Sequence, residues 1–335
     1  MPSLYFWFII LLLTTAIILI LVKLAPLFGL IDIPNERKKH SYPTPLVGGL
    51  AIYLIFIIEF SFFSEWGSTY GKLIAWAGLI FIIGLLDDIK KINWFIRIIF
   101  QIIATYGVIF STNIQIITLG NYPLFGDTQL GGFSYFMTFF AVVSITNSFN
   151  FLDGIDGLCG SLVLILLSVL LLLIFIFSGA VNFYLLMFII PIGVFLFFNL
   201  SSNRKLKIFL GDAGSTTFGF IISFVVIHVF QIEVPKLTAP LALWLFFLPI
   251  LDTVFVTISR AVNGESIFYP TNKHVHHLLI SLGLSHRKTL VTLIIISILA
   301  MIMGIILNSF SDLISILFFF TVFLFCFFYL NKIKN

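Results

Sequence analysis

Charge is scarce in this chain. Only 10% of its 335 residues are Asp, Glu, Lys or Arg, while 60% are hydrophobic and 17% aromatic. A water-soluble domain carries about a quarter charged residues, so the composition excludes one and places the chain in a bilayer. Cysteine is nearly absent. Cys159 and Cys326 lie too far apart in sequence for a disulfide framework or a thiolate metal site, and both read as small apolar filler. Linkers of low complexity are missing too, which argues for one domain over residues 1–335. The first apolar run lacks a basic residue ahead of it and a small-residue cleavage site after it, so it reads as a retained helix rather than a cleaved leader.

What is present is a succession of apolar runs of membrane-crossing length, each near the roughly 20 residues that span a bilayer as a helix. Eleven are expected, at about 4–25, 46–63, 70–86, 95–111, 132–149, 160–178, 183–199, 213–231, 239–259, 289–308 and 312–330. Their continuous Leu, Ile, Val and Phe content predicts helices, not a membrane β-barrel with its short alternating strands. The fold class is therefore an all-α polytopic bundle. With the N-terminus outside and the C-terminus cytosolic, 16 of the 18 Lys and Arg residues fall on the cytosolic side, leaving Lys72 and Lys236 outside. The net charge of +4 then describes a basic rim at the membrane, not a nucleic-acid surface.

Polar residues gather in the loops of that rim, near 26–45, 87–95, 147–160, 200–215 and 261–288. Asp87 and Asp88 close an apolar run. They read either as a solvated helix end neutralised by Lys90 and Lys91, or as adjacent carboxylates for a magnesium ion. In Asn147-Ser-Phe-Asn150-Phe-Leu-Asp153-Gly-Ile-Asp156-Gly, the two Asp-Gly steps break a helix. This predicts a helix end with Asn147 and Asn150 opening into a turn that presents Asp153 and Asp156. Phe209-Leu210-Gly211-Asp212-Ala213-Gly214-Ser215 opens another span. Asp212 is there either an N-cap or part of a phosphate site with free backbone N–H groups. Asn272-Lys273-His274-Val275-His276-His277 concentrates imidazoles and an ammonium. A zinc site is one reading, but adjacent His276 and His277 do not easily both turn inward, and a donor cluster for a pyrophosphate or uracil is favoured. Glu59, His228 and Asp252, inside spans, are expected to make structural hydrogen bonds.

Taken together, these motifs resemble the polyprenyl-phosphate N-acetylhexosamine-1-phosphate transferases, with their WecA-like, TagO-like and MraY branches. The resemblance covers nearly the whole chain. It begins with Gly29-Leu-Ile-Asp32-Ile-Pro34-Asn35-Glu-Arg37-Lys38-Lys-His40 and Pro45-Leu-Val-Gly48-Gly49, and continues through the Asp pair, the Asn/Asp-Gly segment, Gly-Asp-Ala-Gly-Ser and His-Val-His-His-Leu. It implies a bundle of ten or eleven helices in the inner membrane and a magnesium ion, with manganese as a substitute. By the same resemblance the ion is held by residues matching Asn150 and Asp212, and Asp87 and Asp88 are catalytic. Asn147, Asp153, Asp156, Lys91, Arg260, Lys273, His274, His276 and His277 serve the nucleotide-sugar or its phosphates, and Lys38 and His40 the lipid phosphate. Lys91 departs from many WecA-like members, which carry an acid or Asn there. It suggests a phosphate contact. The segment from His274 to Leu279 nevertheless looks like the WecA and TagO group.

The expected reaction moves an N-acetylhexosamine 1-phosphate from a UDP-sugar to a polyprenyl phosphate such as undecaprenyl phosphate. Its partners are that lipid, the nucleotide sugar and the bilayer, with no nucleic acid; whether the chain is a monomer or a homodimer is open. CDP-alcohol phosphotransferases also use Asp-Gly motifs, but their Ala-Arg after the first Asp-Gly is missing here. A transporter is the non-enzymatic alternative, and it would place its acids within the spans.

Overall fold

The computed structural model of the chain describes residues 4–34, 42–266 and 274–334. Its helices, in chain order, are α1 (Leu4–Leu24), α2 (Gly48–Phe62), α3 (Thr69–Lys90), α4 (Trp94–Thr112), α5 (Phe133–Leu152), α6 (Leu158–Ser178), α7 (Phe183–Asn199), α8 (Gly211–His228), α9 (Ala239–Leu245), α10 (Phe247–Val262), α11 (Val275–Ser281), α12 (His286–Leu307) and α13 (Asp312–Lys334). A 3-10 turn (Ala25–Phe28), a π-helical turn (Val229–Glu233) and two small antiparallel pairs complete the described elements, the pairs being β1 (Ile31–Asp32) with β2 (Thr44–Pro45), and the hairpin β3 (Thr118–Tyr122) with β4 (Gly126–Gln129).

The protein is a multi-pass membrane protein. Among the described residues, eight helices are long and apolar enough to cross a membrane, and a ninth crossing results if α9 and α10 form one broken span. The apolar helices α2 and α7, of 15 and 17 residues, are shorter than a usual crossing. The expected eleven thus exceeds what length and composition carry by these two. The run expected to be continuous over 239–259 is bent by 73° between α9 and α10. Pro249 explains the break, because it has no N–H to donate to the carbonyl of Leu245 four residues earlier.

The chain divides into two compact units, Met1–Asn113 with Cys159–Ile222, and Ile114–Leu158 with Ser223–Asn335. In the first, α2 packs against α1, α3 and α7, and α3 against α4. Its close contacts are made at glycine. A Cβ on Gly84 of α3 would lie 2.6 Å from the Cα of Ala213, and one on Gly49 would overlap the backbone of Gly214, so backbone meets backbone at the start of α8. In the second unit α5 packs against α10, with Thr253 donating to Ser148 at 2.7 Å. There the β3–β4 hairpin is tied down where Asp312, opening α13, accepts the N–H of Asn121 at 2.6 Å.

Candidate active site

In the first unit the acidic cluster grows out of the Gly84 contact. Asp88 lies one helical turn beyond Gly84 on α3, so the same face that approaches Ala213 carries its carboxylate to the N-terminus of α8. There Asp88 accepts the N–H of Asp212 at 2.8 Å and of Ala213 at 3.1 Å. A carboxylate at a helix N-terminus satisfies donors that have no partner inside the helix and meets the positive end of its dipole. Gly211 holds a left-handed φ of 78°, and a Cβ there would press to 2.6 Å from the Asp88 carboxylate.

Asp87, the residue before it, faces α4. The turn Lys91-Ile92-Asn93 reverses the chain, with Lys91 in the left-handed conformation (φ 54°) and Asn93 capping α4. Residues equally distant from Ile92 then stand opposite one another, and Arg97 donates to Asp87 at 2.6 Å. The N–H of Ile92 adds a second hydrogen bond to the buried Asp87 carboxylate. Asp87 also hydrogen-bonds the Asp212 side chain, and the Lys91 ammonium stands 4.0 Å from Asp212. Three carboxylates and two cations thus meet beside a small cleft, whose wall joins apolar Ile80, Ile83 and Phe100 to Gln101 and Thr216.

In the second unit α5 ends as expected. Asn147 and Asn150 lie in its last turns, Asp153 is the C-cap, and exposed Asp153 and Asp156 sit on the turn that follows. Gly157 closes that turn with φ 80°. His274 caps the start of α11 and is bonded through Nδ1 to Asp252 of α10 at 2.7 Å. The rings of His274 and His276 are nearly parallel, 6° apart with centroids separated by 5.7 Å, and Phe151 packs on His274 at 5.6 Å. His276 fits where Gly154 has no side chain, since a Cβ there would overlap its ring. Neither ring nitrogen of the buried His276 makes a hydrogen bond to a described residue. Burial, reinforced by the neighbouring His277, pushes its pKa down to about 3, so the ring is neutral. His277 remains partly exposed, and Arg260 is buried at the end of α10, 3.9 Å from Glu265.

Several expectations are corrected here. The Asp87–Asp88 pair is not a solvated helix end neutralised by Lys90 and Lys91. Both residues lie within α3, and the cation bonded to Asp87 is Arg97. The first N–H groups of α8 are not open to a phosphate, because Asp88 occupies them, and Asp212 sits inside the helix rather than capping it. Asp252 and His228 do bond as expected, Asp252 to His274 and the N–H of Val275 and His228 to Glu233 at 3.1 Å. Glu59 is buried with no hydrogen bond to its carboxylate oxygens among the described residues, contrary to expectation. Lys38, His40 and Lys273 lie outside the described residues. Arg97 was missed although its signal was present, a basic residue as far beyond a tight turn as Asp87 is before it. Asp252 was singled out as an acid inside a span, but its partner, 22 residues away, was not.

Residues 71–230 match the family described as Glycosyl transferase family 4. The undecaprenyl-phosphate alpha-N-acetylglucosaminyl 1-phosphate transferase of Escherichia coli (strain K12) is similar, 33% identical over 285 residues that cover 83% of this chain and 76% of that protein. The Yersinia pestis protein of the same name is 32% identical over 85% of this chain and 78% of its own. A probable undecaprenyl-phosphate N-acetylglucosaminyl 1-phosphate transferase of Bacillus subtilis (strain 168) is 30% identical over 90% and 84% respectively.

Proposed function

Because the chain belongs to glycosyl transferase family 4, we propose that it transfers N-acetylhexosamine 1-phosphate from a UDP-sugar to undecaprenyl phosphate, releasing UMP at the cytosolic face of the inner membrane. UDP-N-acetylglucosamine is the first donor to consider, and the lipid-linked product would start an O-antigen or related surface glycan. The observation that carries this reading is the meeting of Asp87, Asp88 and Asp212 with Arg97 and Lys91 beside a cleft with one apolar wall. These side chains offer cationic donors to a phosphate and an apolar surface to a prenyl chain.

In the reaction, an oxygen of the lipid phosphate attacks the sugar-bearing phosphorus of the UDP-sugar. A new P–O–P linkage forms, the bond to the UMP portion breaks, and UMP leaves with the bridging oxygen and its electron pair. Both reactants are anions, so this chain must first align them and offset their repulsion. Lys91 and Arg97 supply positive charge, and Arg260 with His274, His276 and His277 serves the nucleotide-sugar. Asp87 or Asp88 orients the lipid phosphate or takes its last proton. Each Asp88 oxygen, although bonded to a backbone N–H, retains a second lone pair for this.

The residues fit a hard divalent cation. Asp87 and Asp212 are in hydrogen-bonding contact, which two carboxylates sustain only with a proton or cation to offset their charge. Among the described residues no three acidic, His or Cys side chains form a ready cage, so phosphate oxygens would complete the coordination, as they commonly do for magnesium. Asp212 would hold magnesium or manganese, and the bound ion would screen the diphosphate and stabilise departing UMP.

The test is a panel of UDP-sugars incubated with the purified protein, undecaprenyl phosphate and magnesium, reading UMP release. Asp212→Asn is expected to remain folded and lose turnover. Near-normal activity in that variant would remove the cation assignment, and no UMP from any UDP-sugar with the wild type would remove the reaction.

A further inference from the structure

We propose that Asp252 is a positioning residue of the nucleotide-sugar site, fixing the orientation and tautomer of His274. This rests on the reading of His274 as a nucleotide-sugar contact.

Asp252 is fully buried in α10, and both of its oxygens are engaged at the start of α11. One lies 2.7 Å from His274 Nδ1, and the other accepts the N–H of Val275 at 2.7 Å. One carboxylate therefore grips a side chain and the adjoining backbone together, so the ring cannot swing without giving up its bond to a carboxylate that is itself anchored at the start of the helix. An ionised carboxylate only accepts, which makes Nδ1 the donor. The neutral ring then carries its proton on Nδ1 and turns an unshared pair on Nε2 outward, an arrangement that a carboxylate behind an imidazole sets elsewhere. Phe151 on one side and the parallel His276 ring hold the plane of His274.

Stability alone does not account for a charge at this depth. An apolar pair of the same volume is often as stable as a buried charge with its partner, whereas this carboxylate fixes which atom of the imidazole faces its ligand. The ligand group that Nε2 accepts from is a donor on the UDP-sugar, a uracil N–H or a hydroxyl. Asp252→Asn reverses this arrangement while keeping the shape. The amide oxygen can still accept from Val275, but the amide N–H₂ faces Nδ1 and drives the proton to Nε2.

The experiment uses the full chain in detergent with ¹⁵N-labelled histidine, UDP-N-acetylglucosamine and undecaprenyl phosphate. Wild-type His274 is expected to show the Nδ1–H pattern in two-bond ¹H–¹⁵N spectra and Asp252→Asn the Nε2–H pattern. The KM for UDP-N-acetylglucosamine should rise about tenfold in Asp252→Asn while the KM for undecaprenyl phosphate stays put. In a His274→Ala background Asp252→Asn should add no further loss, since a residue acting through another shows no independent effect. A flipped tautomer with unchanged KM, or an equal additional loss in that background, overturns the proposal. Should Asp252→Asn not fold, His274→Asn reads the same claim. It keeps the donor to Asp252, lacks Nε2, and must show the same KM increase, a wild-type value being the overturning result. Absence of transfer by the wild type would instead count against the proposed reaction, and the tautomer would still be read from the spectra.

Discussion

Replacing Arg97 by Ala would leave the Asp87 carboxylate buried without the cation that offsets it. Removing one partner of a buried pair costs about 3–5 kcal/mol, because the desolvated charge stays behind. Arg97→Ala should therefore unfold at a clearly lower temperature in detergent and lose turnover. Arg97→Lys, which keeps the charge without the planar fork, should fall between. His276 gives a prediction of opposite character. Its pKa is held near 3, well below the ordinary histidine value, chiefly by burial. Between about pH 6.5 and 3 the unfolded chain binds a proton that the folded one refuses, so stability is lost as pH falls through that window. The melting temperature of the wild type should drop over it, and His276→Asn should flatten the drop; parallel curves would show that another group dominates. Arg97 illustrates how a single residue escapes a linear reading, since its partner is local in space only once the chain has turned at Ile92.

Glycine-mediated contacts decide how the helices carry these residues. Gly84→Val would push α3 away from α8 against backbone rather than against a flexible side chain, withdrawing Asp88 from the N–H groups of Asp212 and Ala213. Loss of a helix cap costs about 1 kcal/mol, and the overpacking about 1–3 kcal/mol more. The variant should show lowered thermal stability together with loss of transfer. Gly154→Ala should instead displace the His276 ring, keep the helices, and weaken UDP-N-acetylglucosamine binding several-fold by titration. Much of this level was legible beforehand. The repeated Asp-Gly steps after Asn150 told of a helix end and a turn, because glycine at those places competes with helix formation. The break at Phe246 was hidden by continuous apolar composition, even though Pro249 marked it, and the β3–β4 hairpin was hidden because its polar alternation is short. That the first N–H groups of α8 are occupied could not be read, for their partner comes from a helix far earlier in the chain.

At the scale of the whole molecule, composition spoke plainly for a membrane bundle, and family membership agrees with it. We propose that the N-terminus lies outside and the C-terminus in the cytosol, a reading supported by the lopsided distribution of Lys and Arg. Alkaline phosphatase fused after Leu124, in the β3–β4 hairpin, should be active, and green fluorescent protein fused at the C-terminus should fluoresce; the reverse pattern would invert the topology. Neutralising Lys72, whose ammonium donates to the Ser111 carbonyl, should leave UMP release intact.

The interleaving of the two units sets an order of events at the ribosome. Once residue 222 has emerged, every residue of the first unit exists, including the three aspartates and Arg97. The second unit then consists only of the hairpin and α5, whose packing partner α10 and the histidine segment are still to be made. A nascent chain stalled there would own a finished acidic cluster and an α5 still waiting for its mate, and no single cut of the gene can deliver the second unit by itself.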